Sequence, residues 1–384
     1  MRARIAHIVP TDRIAYLMLY ARLQRLREIG YELSVICGAV GYADQLRQCG
    51  VQVVHIPFAR EIAPWTDLRC ARSLLQVLRR ERYDVVHTHN PKGGLLGPVV
   101  ARLAGIPLVV HTVHGFLFNE NSTGLHQMLA VGAERWTANW CDHLLFQSEE
   151  DYTHALEHRF KERERLHLIG NGIDERRFDR GHHAGARLQK RAELGLAQED
   201  LVVGVVGRLV REKGFEEFFA MAGRIARVFA RARFLVVGIT EEKEQSDSID
   251  PKALMAEHDI ADRCVVLEQR QDMPELYTCM DLAVLPSYRE GIPRALLEAG
   301  AMGVPMVASD IRGCREVIVD GQTGMLFPLK NVDAFTEVVS KLLGDGDMRR
   351  RLGEAGHRRV MERYTEGRTA ARLAACYEVM LKRC

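Results

Sequence analysis

The sequence predicts an α/β protein of two domains, each a parallel sheet with helices on both faces. Three observations predict it. The chain has 384 residues, too many for one ordinary core and suited to two domains of roughly 180 residues each. Short apolar, β-rich runs alternate with longer stretches of helical periodicity. That alternation starts afresh after a polar stretch, Asn171 to about Asp200, that is rich in Gly, His, Arg and Gln and lacks a strand.

In the first half the strand-like runs are Ile5–Val9, Leu33–Cys37, Val51–Ile56, Asp84–His87, Leu108–His111, His143–Phe146 and Leu166–Ile169. Helical patterns separate most of them, at Ile14–Ile29, Leu68–Arg82 and Gly93–Leu103. The second half repeats the scheme with Leu201–Val206, Phe234–Val237, Val265–Leu267, Leu282–Leu285 and Met306–Ala308. Apolar strands joined by amphipathic helices are βαβ units, and such units build a parallel sheet covered on both faces. Two Rossmann-like domains are therefore expected, residues 1–175 and 176–365, with a cleft between them lined by strand carboxyl ends. A last helical pattern, Arg368–Leu381, has no strand after it.

Composition excludes several classes. Formal net charge is +2, so nothing demands a nucleic-acid partner. The first hundred residues lean basic, which is compatible with an anionic lipid or phosphate surface and equally with solvated helix faces. The nine cysteines are scattered and form no CxxC pair, the pattern of reduced thiols in a cytoplasmic protein. No apolar run reaches the eighteen or so residues of a membrane span. Asp12 and Arg13 interrupt the first apolar stretch, so it reads as a strand and not as a signal peptide.

Two segments carry chemistry. The first is Ser287-Tyr288-Arg289-Glu290-Gly291-Ile292-Pro293-Arg294-Ala295-Leu296-Leu297-Glu298. A strand gives way to a glycine-containing loop, and Pro293 suits a first helical turn. N–H groups near Gly291, Ile292 and Arg294 would then offer a positive helix end to a phosphate or sugar oxygen. Glu290 and Glu298 are eight residues apart and cannot share a helix face. With one in the loop and one in the helix, both can reach an extended ligand. By spacing alone the commoner outcome is Glu298 paired with an arginine and Glu290 solvated. The second segment is Gly207-Arg208-Leu209-Val210-Arg211-Glu212-Lys213-Gly214. It puts Arg208 and Lys213 past a strand end, where a diphosphate would lie. It is not a P-loop, because the glycine spacing and the Lys-Ser/Thr pair are missing.

Histidines crowd two further strand ends, in His87-Thr88-His89-Asn90-Pro91-Lys92-Gly93-Gly94 and His111-Thr112-Val113-His114-Gly115. The HxH and HxxH spacings lack the supporting Cys or acidic ligands of a metal site. Loop hydrogen bonds and contacts towards the cleft are expected instead.

Taken together, these segments resemble the retaining glycosyltransferases of family 4, which have the GT-B fold. The resemblance also takes in Asn171-Gly172-Ile173-Asp174, Gln147-Ser148-Glu149 and Ser309-Asp310-Ile311-Arg312-Gly313-Cys314-Arg315-Glu316, and it covers nearly the whole chain. It is similar in pattern to bacterial members that build exopolysaccharide, capsule or O-antigen. The resemblance implies that Arg208 and Lys213 hold the donor diphosphate, that Glu298 binds the ribose and that Glu290 lies against the donor sugar. Backbone groups of Gly291, Ile292 and Pro293, with Arg294, would line the donor pocket, and the base would lie near Glu268-Gln269-Arg270. His114 would contact the transferred sugar or support catalysis beside Glu290, Arg208 and Lys213, with His89 and Lys92 on the acceptor side. The last helix, 366–384, is expected to cross back to the first domain.

The implied activity is transfer of a sugar from a nucleoside-diphosphate sugar, a UDP-sugar by expectation, to a saccharide or lipid-linked saccharide. No metal or other cofactor is expected, since no Asp-x-Asp pair stands at a strand end. A cytoplasmic protein in peripheral contact with the inner face of the membrane fits such an acceptor. One departure is Pro10-Thr11-Asp12-Arg13-Ile14, where many members carry a Gly-Gly loop. Two rival readings are a nucleotide-sugar 2-epimerase and a non-catalytic sugar-nucleotide-binding subunit. A nicotinamide-dependent dehydrogenase is disfavoured, because no GxGxxG follows the first strand.

Overall fold

The computed structural model describes residues 3–58, 64–116, 124–239, 247–268 and 270–382. The chain divides into two compact units, one of Met1–Asn171 with Glu366–Cys384, the other of Gly172–Thr365.

The first unit runs β1 (Arg4–Thr11), α1 (Asp12–Glu28), β2 (Glu32–Gly38), α2 (Ala43–Gln48), β3 (Gln52–His55), α3 (Pro64–Glu81), β4 (Val85–His89), α4 (Asn90–Leu103), β5 (Leu108–Val113), α5 (Gly124–Trp140), β6 (His143–Phe146), α6 (Glu149–Glu157) and β7 (Leu166–Leu168). Its seven strands are all parallel, in the order β3-β2-β1-β4-β5-β6-β7. Period-two alternation divides the side chains of β1 between two cores. Ile5 and Val9 pack with Leu19 and Leu23 of α1, and Ala6 and Ile8 with Leu74 and Leu78 of α3. Helix starts are written locally: Thr11 caps α1 and Ser148 caps α6 through their side-chain oxygens, each satisfying a backbone N–H that has no partner inside the helix.

The second unit runs α7 (Ala186–Glu193), β8 (Leu201–Arg208), α8 (Phe215–Val228), β9 (Ala232–Ile239), α9 (Pro251–Glu257), β10 (Cys264–Leu267), α10 (Met273–Cys279), β11 (Leu282–Leu285), α11 (Arg294–Ala301), β12 (Met306–Ser309), α12 (Cys314–Val317), β13 (Met325–Phe327), α13 (Val332–Gly344) and α14 (Gly346–Arg363). Its six strands are also parallel, in the order β10-β9-β8-β11-β12-β13. Phe215, Phe218 and Phe219 of α8 and Phe335 of α13 cover one face; Tyr277 of α10 and Leu296 and Leu297 of α11 cover the other. The final helix, α15 (Glu366–Leu381), belongs to the first unit. There Leu373 and Tyr377 pack with α1 residues under the seven-stranded sheet.

The structure differs from the sequence reading at several places. β4 and β5 each extend two residues further, so His89 and Thr112 are strand residues and not loop residues. β13 was not anticipated; three residues give too short an apolar run to stand out, and its pairing with β12 makes it a strand. The polar joining stretch contains α7, whose Arg191 is buried and donates to the carbonyls of Cys279, Ala197, Gln198 and Asp200. Pro293 stands just before α11 with extended backbone instead of inside its first turn. Its carbonyl accepts from Leu296 and Leu297 N–H, each at 3.2 Å.

Candidate active site

In both sheets the chain reverses direction of growth beside the first strand, between β1 and β4 and between β8 and β11. Such switch points, outside the strand carboxyl ends, are where parallel sheets hold ligands. The two charged segments follow β8 and β11, and the first histidine segment follows β4, so these lie at the two switch points.

At the β8/β11 switch point the two charged segments meet. Lys213 Nζ donates to Glu290 Oε1 at 2.7 Å, and Ser287 Oγ donates to the same oxygen at 2.7 Å. Arg289 Nε donates to Glu212 Oε1 at 2.7 Å, and Arg208 stands 3.7 Å from the other oxygen of Glu212. Glu290 is thus not solvated, as spacing alone would have it; Lys213 and Ser287 hold it. Glu298 lies one turn into α11 with its side chain 14% exposed. Tyr277 donates to its Oε2 at 3.1 Å, with Arg294 3.9 Å away. Burial raises the Glu298 pKa, against Arg294 and the Tyr277 hydrogen bond, which lower it. Ile292 sends its side chain into the core, so only its backbone is left to meet a ligand.

Two glycines permit this packing. Gly214 has φ +71°, and a Cβ there would lie 2.0 Å from the Pro286 carbonyl oxygen. Gly313 has φ +81°, and a Cβ would lie 1.6 Å from the Gly291 carbonyl oxygen. Both positions need left-handed backbone and absence of a side chain. The Gly313 loop therefore presses on the backbone of the Glu290-Gly291 turn.

At the β1/β4 switch point the polar groups are histidines. His7, His87 and His89 are spaced by two within their strands and face the α1/α15 side of the sheet, and His7 pairs in register with His87. His7 Nδ1 and His89 Nε2 are 3.0 Å apart, as are His89 Nδ1 and His114 Nε2. His87 lies 2.5 Å from the Tyr377 hydroxyl through Nδ1 and 2.6 Å from Thr112 Oγ1 through Nε2. On the opposite face Thr88 Oγ1 meets His111 Nδ1 at 2.9 Å. Burial pushes every one of these rings down, His7 and His114 to about 3 and His111 to about 4, with the Arg22 cation adding to the shift at His7 and His114. His87 and His89 move the same way for the same first reason. All five rings are neutral at physiological pH.

His7, His87 and His89 each offer a nitrogen within 4.8 Å of the others, a spacing a metal ion could accept. Five of their six nitrogens are already engaged with other side chains, and His7 Nε2 has no partner among the described residues. The rings as they stand form a hydrogen-bonded array.

The Thr11 segment replaces a glycine loop with an immediate helix start. Asp12 is fully buried and accepts from Val40 and Tyr42 N–H at 3.0 and 3.2 Å. Lys92 lies in the first turn of α4, but its side chain is outside the described residues, as is Gln269 of the expected base site.

Sequence reasoning missed His7, Arg22, Ser287, Glu212 and Tyr277. The available signal was polarity inside apolar strands: His7 interrupts Ile5-Ala6-His7-Ile8-Val9, and a buried polar group in such a run requires partners. Arg22 gave no signal, because a basic residue on an amphipathic helix reads as solvated.

Residues 186–359 match the family described as glycosyl transferases group 1, and residues 16–172 match the glycosyl transferase 4-like domain. A UDP-Gal:alpha-D-GlcNAc-diphosphoundecaprenol alpha-1,3-galactosyltransferase of Escherichia coli is 29% identical over 319 residues, 82% of this chain and 81% of that protein. The capsular polysaccharide biosynthesis glycosyltransferase CapM of Staphylococcus aureus is 24% identical over 385 residues, 99% of this chain and 98% of its own. Among solved structures, a sucrose-phosphate synthase from Thermosynechococcus elongatus has a TM-score of 0.84 at 19% identity over all of both chains. HepE of Anabaena in complex with UDP-glucose has a TM-score of 0.84 at 18% identity, over 98% of this chain and all of that one. These structural likenesses concern the fold.

Proposed function

Because this chain belongs to the family 4-like glycosyltransferases of the GT-B fold, we propose that it moves a sugar from a UDP-sugar to a saccharide or lipid-linked saccharide of a bacterial surface polysaccharide, with retention and without a metal. The observation that carries this reading is the Lys213–Glu290 pair at 2.7 Å, with Arg208 3.7 Å from Glu212 in the same post-β8 segment, at a sheet switch point. Relatives named for UDP-Gal and diphosphoundecaprenol chemistry and for capsule synthesis support the donor and acceptor classes.

In the proposed reaction an acceptor hydroxyl attacks the anomeric carbon as the bond from that carbon to the diphosphate oxygen breaks. The departing phosphate oxygen takes the acceptor proton, and attack from the leaving-group face retains configuration. Negative charge grows on the diphosphate, where Lys213 and Arg208 offset it, in the manner of preorganised electrostatic catalysis. Glu290 orients the sugar hydroxyls, Glu298 those of the ribose, and backbone of Gly291, Ile292 and Pro293 closes on the sugar and phosphate. His114 contacts the transferred sugar; His89 stands behind it.

No helix among the described residues is long and apolar enough to cross a membrane. Trp65 and Leu68 of α3 and Met128, Leu129 and Trp136 of α5 are nevertheless exposed. Exposed aromatic and aliphatic side chains favour a membrane–water boundary, which supports peripheral contact with the inner leaflet.

The test is calorimetry of the full chain with UDP-, GDP- and ADP-sugars in EDTA, followed by product analysis with saccharide and polyprenyl-diphosphate acceptors. UDP-sugar binding in EDTA and a product of retained anomeric configuration are expected. Binding only with a divalent cation would sink the metal-free reading, and an inverted product the stereochemistry. Donor conversion without acceptor would make the chain an epimerase, and binding without turnover on any acceptor a non-catalytic subunit.

A further inference from the structure

The second unit holds a cavity at the end of its sheet opposite the donor segments. Asp281 and Pro305, which immediately precede β11 and β12, line it, so it lies at the amino ends of strands whose carboxyl ends lead into the Glu290 and Gly313 loops. Its volume of about 380 Å³ suits a small molecule. Arginines dominate its charge: Arg180 from the turn before α7, Arg187 of α7, and Arg349 and Arg350 near the start of α14.

Carboxylates do not match that charge. Arg180 Nη1 donates to Glu354 Oε1 at 2.7 Å, and Arg350 pairs with Asp347. Arg187 Nη2 donates to one oxygen of Asp281 at 2.7 Å, but the buried Arg191 takes the other oxygen at the same distance. Arg349 Nη1 donates to the Leu342 and Leu343 carbonyls at 2.5 and 2.7 Å and has no carboxylate partner among the described residues. His183, the remaining basic group of the lining, stands 3.3 Å from a carboxylate of its own, Glu275. Five guanidiniums thus share three carboxylates, and a surplus of positive charge in a recess concentrates anions. The pairs of Arg180 and Arg350 are exposed and therefore weak, so both forks can turn to a phosphate and grip it at two points. Gly303 keeps the recess open: its φ is +74°, and a Cβ there would stand 3.2 Å from Arg180 Nη1.

The cavity also reaches a support of the donor segments. Tyr277 lines it and donates its hydroxyl to Glu298 Oε2 at 3.1 Å. Met302 lines it too, at the end of α11, the helix that carries Glu298. We propose that this cavity binds a phosphorylated small molecule through Arg180, Arg187, Arg349 and Arg350, and that its occupancy alters donor binding through Tyr277 and Glu298. The coupling rests on reading Glu298 as the ribose contact; the site itself does not.

The probe is inorganic pyrophosphate, titrated by calorimetry into the full chain carrying Lys213→Ala, which lacks the donor-site cation. Binding is expected to persist in that chain. Adding Arg180→Gln and Arg350→Gln, which removes only exposed ion pairs, should weaken it roughly tenfold or more. Arg351→Gln, one residue outside the lining, should leave it unchanged. No pyrophosphate binding in the Lys213→Ala chain, or binding indifferent to the two arginine substitutions, would overturn the site. UMP and a hexose phosphate, titrated in the same way, tell a nucleotide from a sugar phosphate by which loses more affinity on the double substitution. With Lys213 in place, saturating pyrophosphate should shift UDP affinity about fivefold or more. The part of the shift that disappears with Arg180→Gln and Arg350→Gln is the coupling, and Tyr277→Phe should lose it while still binding pyrophosphate. A shift that persists in full in the double variant is competition at the donor site and would refute the coupling. A chain that binds no UDP at all would fail the donor reading and leave the pyrophosphate test intact.

Discussion

The two sheets share one topology and fill their switch points with different chemistry. Beside β8 and β11 the polar groups are ions held against counter-ions: Lys213 on Glu290, and Arg208 and Arg289 on Glu212. Beside β1 and β4 they are neutral rings held against one another, with a buried Arg22–Glu366 pair behind them. The charged cradle is partly exposed, so its charges keep some hydration and remain able to meet a diphosphate. His7, His87 and His89 are buried on the α1/α15 face of the sheet, where a charge would lack that hydration and a neutral hydrogen bond is the affordable polar contact. One unit gathers charged groups at its switch point, the other neutral rings.

Acidification should break this comparison most strongly. His7 and His114 ionise at about 3 and His111 at about 4 in the folded chain, against 6.5 for an unperturbed ring. Between those values the unfolded chain binds more protons than the folded one. Stability should therefore fall as pH drops through 6.5 and keep falling towards 3, by an amount on the order of several kcal/mol. Glu134, which burial pushes up to about 7, works the other way below pH 7, but it is one group against several rings. Trp65, Trp136 and Trp140 all lie in the first unit. Urea unfolding followed by tryptophan fluorescence should thus show the loss, while donor-site ligand binding by the second unit persists to lower pH. Equal acid sensitivity of both signals would contradict the contrast.

Next in size is Lys213→Ala. It removes the cation at the diphosphate position and should cut kcat/KM by about 10²–10³-fold while the fluorescence-detected midpoint stays put. Loss of the first unit's stability in this variant would show that the units are not energetically separate at this site. Gly313→Ala should follow, because its Cβ meets the Gly291 carbonyl and its backbone is left-handed. A cost of about 1–3 kcal/mol is expected, read as a lower thermal midpoint by circular dichroism together with weaker UDP binding. The smallest effect is Tyr277→Phe. It deletes the hydroxyl donated to Glu298 Oε2, which should weaken UDP binding by about 1 kcal/mol in calorimetry and leave binding of inorganic phosphate unchanged.

Much of the scaffold was legible because it is written in local pattern. Runs such as Leu201–Val206 and Leu282–Leu285 are short, apolar and bounded by polar residues, which reads as strands buried on both faces. The charged segments were legible too, since they stand directly after strands. What escaped was the pairing of individual side chains across long separation. Arg22 pairs with Glu366, 344 residues away, and no helical period foretells a partner at that distance. β13 is a strand because β12 lies beside it, not because its three residues insist on being one.

The sequence by itself determined the two parallel sheets, their order along the chain and the residues at their carboxyl ends, because hydrophobic periodicity and strand-end chemistry are local. Only the tertiary structure decided which charges neutralise which, that Glu290 is held by Lys213 and Ser287, and that His7 of β1, His89 of β4 and His114 just past β5 share one line of hydrogen bonds. Those outcomes depend on burial and register. Burial sets which groups must find partners, and register sets which partners stand within reach.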